Sequence, residues 1–85
     1  MNWHIHVVDQ AKKQIKRLPK YDAVRIEATI DTMALDPFSG DIEKIKVQDN
    51  AWRRRVGAYR ILYELLSEKR AIFILDVRRR TSTTY

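Results

Sequence analysis

Eighty-five residues with a net charge of +6 are enough for one small core and too few for two domains, so we predict a single domain over residues 1–85. The composition, 45% hydrophobic with two Gly, two Pro and no Cys, excludes a disordered tail, a disulfide framework and a thiolate site. No run approaches the ~20 apolar residues of a membrane span and no basic stretch precedes an apolar run at Met1, which predicts a cytoplasmic protein without a membrane partner.

The first half of the chain predicts one strand and then two helices. Residues 3–8 alternate large and polar side chains in a β-prone run, which is typical of a strand. From Asp9, a residue type suited to the N-cap, apolar positions recur at helical spacing as far as Pro19. A second amphipathic helix is predicted to start at a cap on Asp22 and to end before Pro37. We expect the two helices to form a hairpin that packs on a sheet.

The second half of the chain predicts most of that sheet. Residues 36–41 have the composition of a loop, and residues 42–47 lead into β-prone runs. The β-prone runs are residues 52–56, 59–66 and 71–77. Residues 57–58 and 67–70 are short enough to join antiparallel neighbours. We therefore predict an α+β fold of two layers, with an N-terminal strand, a two-helix hairpin and then a three- to four-stranded antiparallel sheet.

The basic residues are unevenly distributed along the chain. Residues 1–50 hold eight Lys or Arg and eight Asp or Glu, whereas residues 51–85 hold nine and three, so the last segment carries the whole excess, 9 − 3 = +6. Eight of these nine bases are arginine, whose planar guanidinium contacts phosphate at two points and keeps its charge. This concentration favours a nucleic acid or an acidic protein as partner, and the alternative is a solvated basic face without a specific role.

Strand alternation sorts these arginines by sheet face. Arg53 and Arg55 are expected to point together, away from the face that carries Trp52. Arg54 shares the face of Trp52, so it must reach solvent at a sheet edge or lie on a face that is incompletely buried. In the next strand, Arg60 joins Arg53 and Arg55 if the register of the hairpin allows it.

Residues 52–64, read as Trp-Arg-Arg-Arg-Val-Gly-Ala-Tyr-Arg-Ile-Leu-Tyr-Glu, resemble the Arg-x-Arg-Val-Gly-x-Tyr-Arg-x-x-Tyr signature of RelE/ParE toxins. The segments 18–20, 36–37, 44–46 and 77–85 also resemble features of that family. The resemblance implies the toxin of a type II toxin–antitoxin system, held in a hetero-oligomer by a cognate antitoxin. RelE-like members enter the ribosomal A site and cut mRNA, whereas ParE-like members share the fold and poison DNA gyrase, so the fold cannot choose between them.

From this resemblance we predict a metal-independent endoribonuclease, an mRNA interferase that acts with the ribosome and needs no cofactor. In this reaction the ribose 2′-OH of the RNA attacks the adjacent phosphate. The enzyme must supply a proton acceptor for the 2′-OH, positive charge to stabilise the developing phosphorane and a proton donor to the leaving oxygen. The predicted catalytic residues are Arg60, Arg80, Arg55, Tyr85 and Lys46, and the predicted RNA-binding residues are Arg53, Arg55, Lys44, Arg78 and Arg79. The resemblance implies that Arg60 and Arg80 bind the phosphate and stabilise the transition state, and that Arg80 also acts on the leaving group. It implies that Tyr85 stacks on the substrate.

The sequence departs from RelE-like enzymes at positions that transfer protons. Those enzymes carry lysines where Arg53 and Arg55 stand here, and related toxins have a histidine where Arg79 stands. An arginine, with a pKa above ~12, releases a proton far less readily. Lys44 or Lys46 could act as the base instead, or the arginines could act only by charge while the ribosome orients the 2′-OH. Without proton-transfer groups, slower cleavage or none is expected. The alternatives are therefore a ParE-like, non-catalytic gyrase inhibitor and a non-toxic module that binds RNA or antitoxin.

The remaining aromatic and histidine residues predict packing more than chemistry. Tyr59, Tyr63, Trp3 and Trp52 are expected to pack in the core or on a sheet face. The two histidines at positions 4 and 6 share a strand face, but two imidazoles without a third ligand make a weak metal site, so we predict no metal.

Overall fold

The computed structural model describes residues 2–45 and 50–80. The elements in chain order are β1 His4–Val7, α1 Asp9–Lys16, α2 Lys20–Leu35, β2 Ile42–Lys44, β3 Ala51–Val56, β4 Tyr59–Leu66, a 3₁₀ turn Ser67–Lys69 and β5 Ala71–Arg79. The two helices pack on one face of the sheet, so the predicted two-layer α+β fold is confirmed. Within the described ranges, no helix has the length and hydrophobicity needed to span a membrane.

The sheet has five strands in the order β1-β5-β4-β3-β2. The pairs β2–β3, β3–β4 and β4–β5 are antiparallel, as the short connections predict. β1 pairs in parallel with β5, with Ile5 beside Ile72, a pairing that was not predicted from the sequence. This pairing joins residues about as far apart in sequence as the chain permits, and it makes β5 an interior strand with a partner on each side.

Both helices start differently from the prediction. Asp9 is the first residue of α1 rather than its cap, and Val8 stands at the N-cap. α2 starts at Lys20, directly after Pro19, whose missing N–H costs nothing at a helix start. Asp22 lies in the first turn of α2, where its charge complements the helix dipole, and accepts a hydrogen bond from the Tyr59 hydroxyl at 2.9 Å. The predictions that Asp9 and Asp22 act as N-caps are therefore wrong.

The core fills the space between the helices and the sheet face that they cover. In β4 the buried positions alternate strictly, so Ile61 and Tyr63 are fully buried while Leu62 between them faces the other way. Trp3 and Trp52 are partly buried against the same cluster, which confirms the packing predicted for the aromatic residues. The buried core residues are Ala11, Ile15, Ile26, Ile30, Met33, Val56, Tyr59, Ile61, Tyr63, Leu65, Ile72, Ile74 and Val77. The opposite face of the sheet is left uncovered by the helices.

Candidate functional site

A row of arginines crosses three neighbouring strands on the uncovered sheet face. The β3–β4 register pairs Arg55 with Arg60, and the β4–β5 register pairs Arg60 with Arg78. Directly opposed residues have Cβ atoms only about 5 Å apart, so these like charges repel one another in the free protein. Arg53, two residues before Arg55, lies on the same face. The register condition that brings Arg60 to Arg53 and Arg55 is therefore met.

A β-bulge in β5 determines which way the end of that strand faces. Tyr63 pairs with Ile74 and Leu62 pairs with Asp76, so Leu75 is an extra residue on β5. Strict alternation from the buried Ile74 would turn Asp76 toward the helices. The bulge shifts the alternation by one position, so that Asp76 and, two residues later, Arg78 face the uncovered side.

The uncovered face contains an open groove of about 610 Å³. Five of its ten lining residues are arginines. The lining residues are Gln10, Ile45, Arg53, Arg60, Leu62, Leu75, Asp76, Arg78, Arg79 and Arg80. A smaller pocket of about 120 Å³ lies beside it, lined by Asp41, Glu43, Arg53, Arg55 and Arg60. Because Arg53 and Arg60 line both, the groove and the pocket form one continuous surface, which we call the arginine face.

Carboxylates partly neutralise the arginine face. The ion pairs are Arg53–Glu43, Arg55–Asp41 and Arg78–Asp76. At least one partner in each pair is largely exposed, and such pairs contribute only about 0.2–1 kcal/mol, so a phosphate can displace them. Within residues 2–45 and 50–80, the groove arginines without an ion-pair partner are Arg60, Arg79 and Arg80. These three remain open to an anion.

The β3–β4 turn holds the last two described arginines in place. The Arg80 backbone N–H donates to the Ala58 carbonyl at 2.6 Å, and its guanidinium Nη1 donates to the Gly57 carbonyl at 3.2 Å. The Arg79 guanidinium lies 6.0 Å from the centre of the Tyr59 ring. The hydrogen bond to Asp22 raises the pKa of Tyr59, with burial as a second cause, and the positive charge of Arg79 partly offsets the rise.

A polar network ties α1 to β5 where β1 has ended. Gln14 Oε1 accepts from the Val77 backbone N–H at 2.7 Å, and Gln14 Nε2 donates to Asp76 Oδ1 at 2.7 Å. Gln10 Nε2 donates to the same oxygen at 2.9 Å, and Asp76 Oδ2 pairs with Arg78 Nε at 2.7 Å. Both oxygens of Asp76 are therefore engaged. The network satisfies a backbone donor that β1 leaves free and fixes the groove wall.

Arg54 lies on the helix-side face, beneath the loop that precedes β2. Its Nη1 donates to the Ser39 carbonyl at 3.1 Å, and its guanidinium occupies the space that a Cβ on Gly40 would take. The φ of +83° at Gly40 favours glycine at this position. Arg54 is half-buried, which confirms the interpretation that its face is incompletely buried there, and its Nε is buried without a hydrogen-bond partner.

Several predicted residues do not join the arginine face. Lys44 pairs with Trp52 in the β2–β3 register, so it faces the helix side of the sheet. Lys46 and Tyr85 lie outside the described residues. His6 is exposed and stacks on Phe73, with ring centres 4.9 Å apart. In the described part of the chain no three His, Cys, Asp or Glu side chains group as metal ligands.

The polar partners of the arginines were not among the residues predicted from the sequence. Asp41 and Glu43 could have been found from alternation, because Glu43 lies two residues after Asp41 and faces Arg53 across an antiparallel pair. Gln10, Gln14 and Asp76 carried no comparable signal, since their meeting depends on the bulge and on where α1 crosses β5.

The arginine face can hold a polyanion and stabilise negative charge that develops on it. A guanidinium supplies fixed N–H donors to phosphate oxygens without giving up a proton. In the described residues the groove contains one carboxylate, Asp76, and both its oxygens are already engaged by donors from Gln10, Gln14 and Arg78. The described surface is therefore suited to binding and to electrostatic stabilisation rather than to proton transfer.

The sequence and the fold are similar to those of known toxins. The family model described as "ParE toxin of type II toxin-antitoxin system, parDE" matches residues 5–83. The chain is 28% identical over 83 residues to "Putative toxin RelE1" of Methanocaldococcus jannaschii, covering 94% of this chain and 92% of that protein. The fold is similar to that of the archaeal RelE–RelB complex from Pyrococcus horikoshii, with a TM-score of 0.85, 24% identity and coverage of 98% and 100%. The isolated E. coli RelE toxin gives a TM-score of 0.81 at 15% identity, with coverage of 95% and 87%.

Proposed function

This chain belongs to the ParE toxin family of type II toxin–antitoxin systems, within the RelE/ParE superfamily, and from that premise we propose that it is a ribosome-dependent endoribonuclease. It cleaves mRNA in the ribosomal A site and thereby inhibits translation in the cytoplasm. The observation that carries this proposal is the arginine row on the uncovered sheet face, with Arg60 open to an anion at its centre.

The cleavage that we propose is attack of the ribose 2′-OH on the adjacent phosphate, with loss of the 5′-oxygen. Arg60 and Arg55, which are directly paired across β3 and β4, bind the non-bridging oxygens of the phosphate and stabilise the phosphorane. Arg80, anchored to the β3–β4 turn, stabilises the leaving oxygen. Arg53, Arg78 and Arg79 bind the neighbouring backbone. Electrostatic stabilisation of this kind needs no metal or cofactor from the protein.

The described residues of the groove include few groups that could transfer a proton during the reaction. Lys46 remains the proposed base, with the ribosome orienting the 2′-OH, and Tyr85 remains the proposed stacking residue. Lys44 remains a proposed RNA contact. From the helix-side face it would reach an RNA strand that passes around the edge of the sheet formed by β2. Because arginines replace lysines at positions 53 and 55, we expect slower cleavage than in enzymes with lysines there.

We also propose a cognate antitoxin as the partner in a hetero-oligomer. The solved structures with this fold include RelE–RelB complexes from Pyrococcus horikoshii and from Methanococcus jannaschii. Acidic side chains of an antitoxin could replace Glu43 and Asp41 as the partners of Arg53 and Arg55, because those pairs are weak and exposed. An antitoxin bound there would exclude RNA from the same arginines.

The test is primer-extension mapping of an mRNA in a reconstituted translation reaction, with and without ribosomes. Wild type is compared with Arg60→Gln and Arg80→Ala, and with Lys69→Gln as a control that removes one charge at the opposite end of the sheet. We expect ribosome-dependent cuts within codons, about 10²–10³-fold slower in each arginine variant and unchanged in the control. Cuts that persist in both arginine variants would contradict the proposed roles.

The second candidate function is that of a non-catalytic inhibitor of DNA gyrase. The matching family model is that of ParE toxins, and the described groove has no free proton acceptor, which suits a binding role. Intact mRNA with growth arrest by the folded protein would favour this function, and a gyrase cleavage-complex assay then tests it directly. Intact mRNA without growth arrest would favour a non-toxic module that binds RNA or antitoxin.

A further inference from the structure

A second basic surface lies at the β3–β4 turn, on the helix side of the sheet. Arg25 of α2 lies against Gly57, where a built Cβ would be 2.7 Å from the Arg25 Nη1 atom. Arg80, which lines the groove, donates to the carbonyl of the same Gly57. Two guanidinium groups from distant parts of the chain thus meet at one turn, and only the backbone of that turn separates the groove from α2.

The charges around this turn are predominantly positive. Within the described ranges, neither Arg25 nor Arg79 forms an ion pair. Asp22 lies one helical turn before Arg25, and one of its oxygens accepts a hydrogen bond from the Tyr59 hydroxyl. Arg79 lies over the ring of that tyrosine. One oxygen of this half-buried acid is therefore occupied, while neither guanidinium group has an ion-pair partner among the described residues.

The same surface presents an aromatic side chain to solvent. Tyr21 is 76% exposed and Val24 is 56% exposed, which are high values for large hydrophobic residues of this chain. Tyr21 precedes Arg25 by four residues in α2, so the two side chains lie on one face of the helix. An exposed ring beside an unpaired guanidinium suits single-stranded RNA, whose bases stack on aromatic rings while arginine contacts the phosphates.

We propose that Tyr21, Arg25 and Arg79 form a second RNA-binding site, which we call the turn site, for the strand as it leaves the arginine groove. An RNA strand that contacts Arg80 in the groove reaches Arg25 by passing Gly57, because both arginines contact that residue. Arg25 and Arg79 bind phosphates and Tyr21 stacks on a base. This inference rests on the proposed function, since it assumes RNA in the groove, and it adds α2 to the surface that the strand follows.

The turn site is tested by measuring the binding of labelled single-stranded RNA to the isolated protein. Fluorescence anisotropy gives the Kd at each salt concentration of a series. The probes are an oligonucleotide of about four nucleotides, which fills only the groove, and one of about twelve, which also reaches α2. The variants are Arg25→Gln and Tyr21→Ala, with Lys69→Gln as the charge-matched control at the far end of the sheet. Residues 21 and 25 are both exposed, so the variants are expected to fold.

For the longer probe we expect Arg25→Gln to raise the Kd about fivefold and to reduce the slope of log K against log salt by about 0.7. Tyr21→Ala is expected to raise the Kd at least about fivefold with the slope unchanged, because stacking releases no counterions. The shorter probe and the control variant should show wild-type affinity. Equal Kd values for wild type and both variants on the longer probe would overturn the turn site.

Arg60→Gln in the same assay separates this inference from the proposed function. If Arg60→Gln weakens binding of both probes while Arg25→Gln and Tyr21→Ala do not weaken the longer one, the turn site fails and RNA in the groove stands. If none of the three substitutions changes binding, the proposed function fails as well. If all three weaken binding but the translation assay shows no cleavage, the turn site stands and the catalytic role fails.

Discussion

The two faces of the sheet use the same strands for different purposes. Consecutive residues Arg54 and Arg55 of β3 show the contrast most clearly. Arg54 lies under the loop before β2, bonded to a backbone carbonyl, with one nitrogen buried and unpaired. Arg55 lies on the uncovered face, paired loosely with Asp41 at 3.6 Å and directly opposite Arg60. One arginine contributes to the packing of a loop, and its neighbour contributes charge to a surface that can bind an anion.

This contrast teaches how a short chain combines stability with a charged binding surface. Alternation gives each strand one set of residues for the core and another for solvent, so β4 supplies Ile61 and Tyr63 to the core and Arg60 to the arginine face. Clustered like charges destabilise the folded state. We infer that the buried face offsets that cost.

The largest expected effect separates two neighbouring residues of β4. Ile61→Ala removes a fully buried side chain and should lower the free energy of unfolding by about 3 kcal/mol. Leu62→Ala removes a half-buried side chain from the uncovered face, where water fills the space, and should cost less than about 1 kcal/mol. Urea unfolding followed by circular dichroism measures both. Equal losses would show that the uncovered face is part of the core.

The second prediction exchanges the two neighbouring arginines of β3 for leucine. Arg54→Leu removes a buried nitrogen without a partner but also the hydrogen bond to the Ser39 carbonyl, so the free energy of unfolding should stay within about 1 kcal/mol of wild type, with RNA affinity unchanged. Arg55→Leu should leave stability within about 0.5 kcal/mol of wild type and weaken RNA binding about fivefold. Urea unfolding measures the stability of the two variants, and titration with RNA measures their affinity. A loss of RNA affinity in Arg54→Leu equal to that in Arg55→Leu would contradict the assignment of faces.

The smallest effect concerns alkaline pH and the helix-covered face. Burial raises the pKa of Tyr63 from 10.0 to about 12, and its hydroxyl donates to the Pro37 carbonyl at 2.9 Å. A raised pKa means that this stabilisation is complete below pH 10 and is lost as the pH rises from 10 toward 12. Tyr63→Phe should cost about 1 kcal/mol at neutral pH and then lose less stability than wild type over that range. Parallel curves for the two proteins above pH 10 would contradict the prediction.

Local features of the sequence determined the order of the elements and the composition of the arginine face. Alternation in residues 52–56 and 59–66 assigned Arg53, Arg55 and Arg60 to one face, because successive side chains of a strand without a bulge point to opposite faces. The short Gly57-Ala58 connection set the hairpin register that places Arg60 beside Arg55. The signature over residues 52–64 indicated the family to which the chain belongs.

Only the tertiary structure decided the features that depend on contacts distant in sequence. The parallel pairing of β1 with β5 ends at Val7, and Gln14 from α1 then closes the free edge of β5. The bulge at Leu75 turns Asp76 and Arg78 toward the uncovered face, which a count of alternating residues cannot foresee. Arg25 meets Gly57 because α2 lies over the β3–β4 turn. Propensity and spacing act over a few residues, whereas these contacts arise only when whole elements pack.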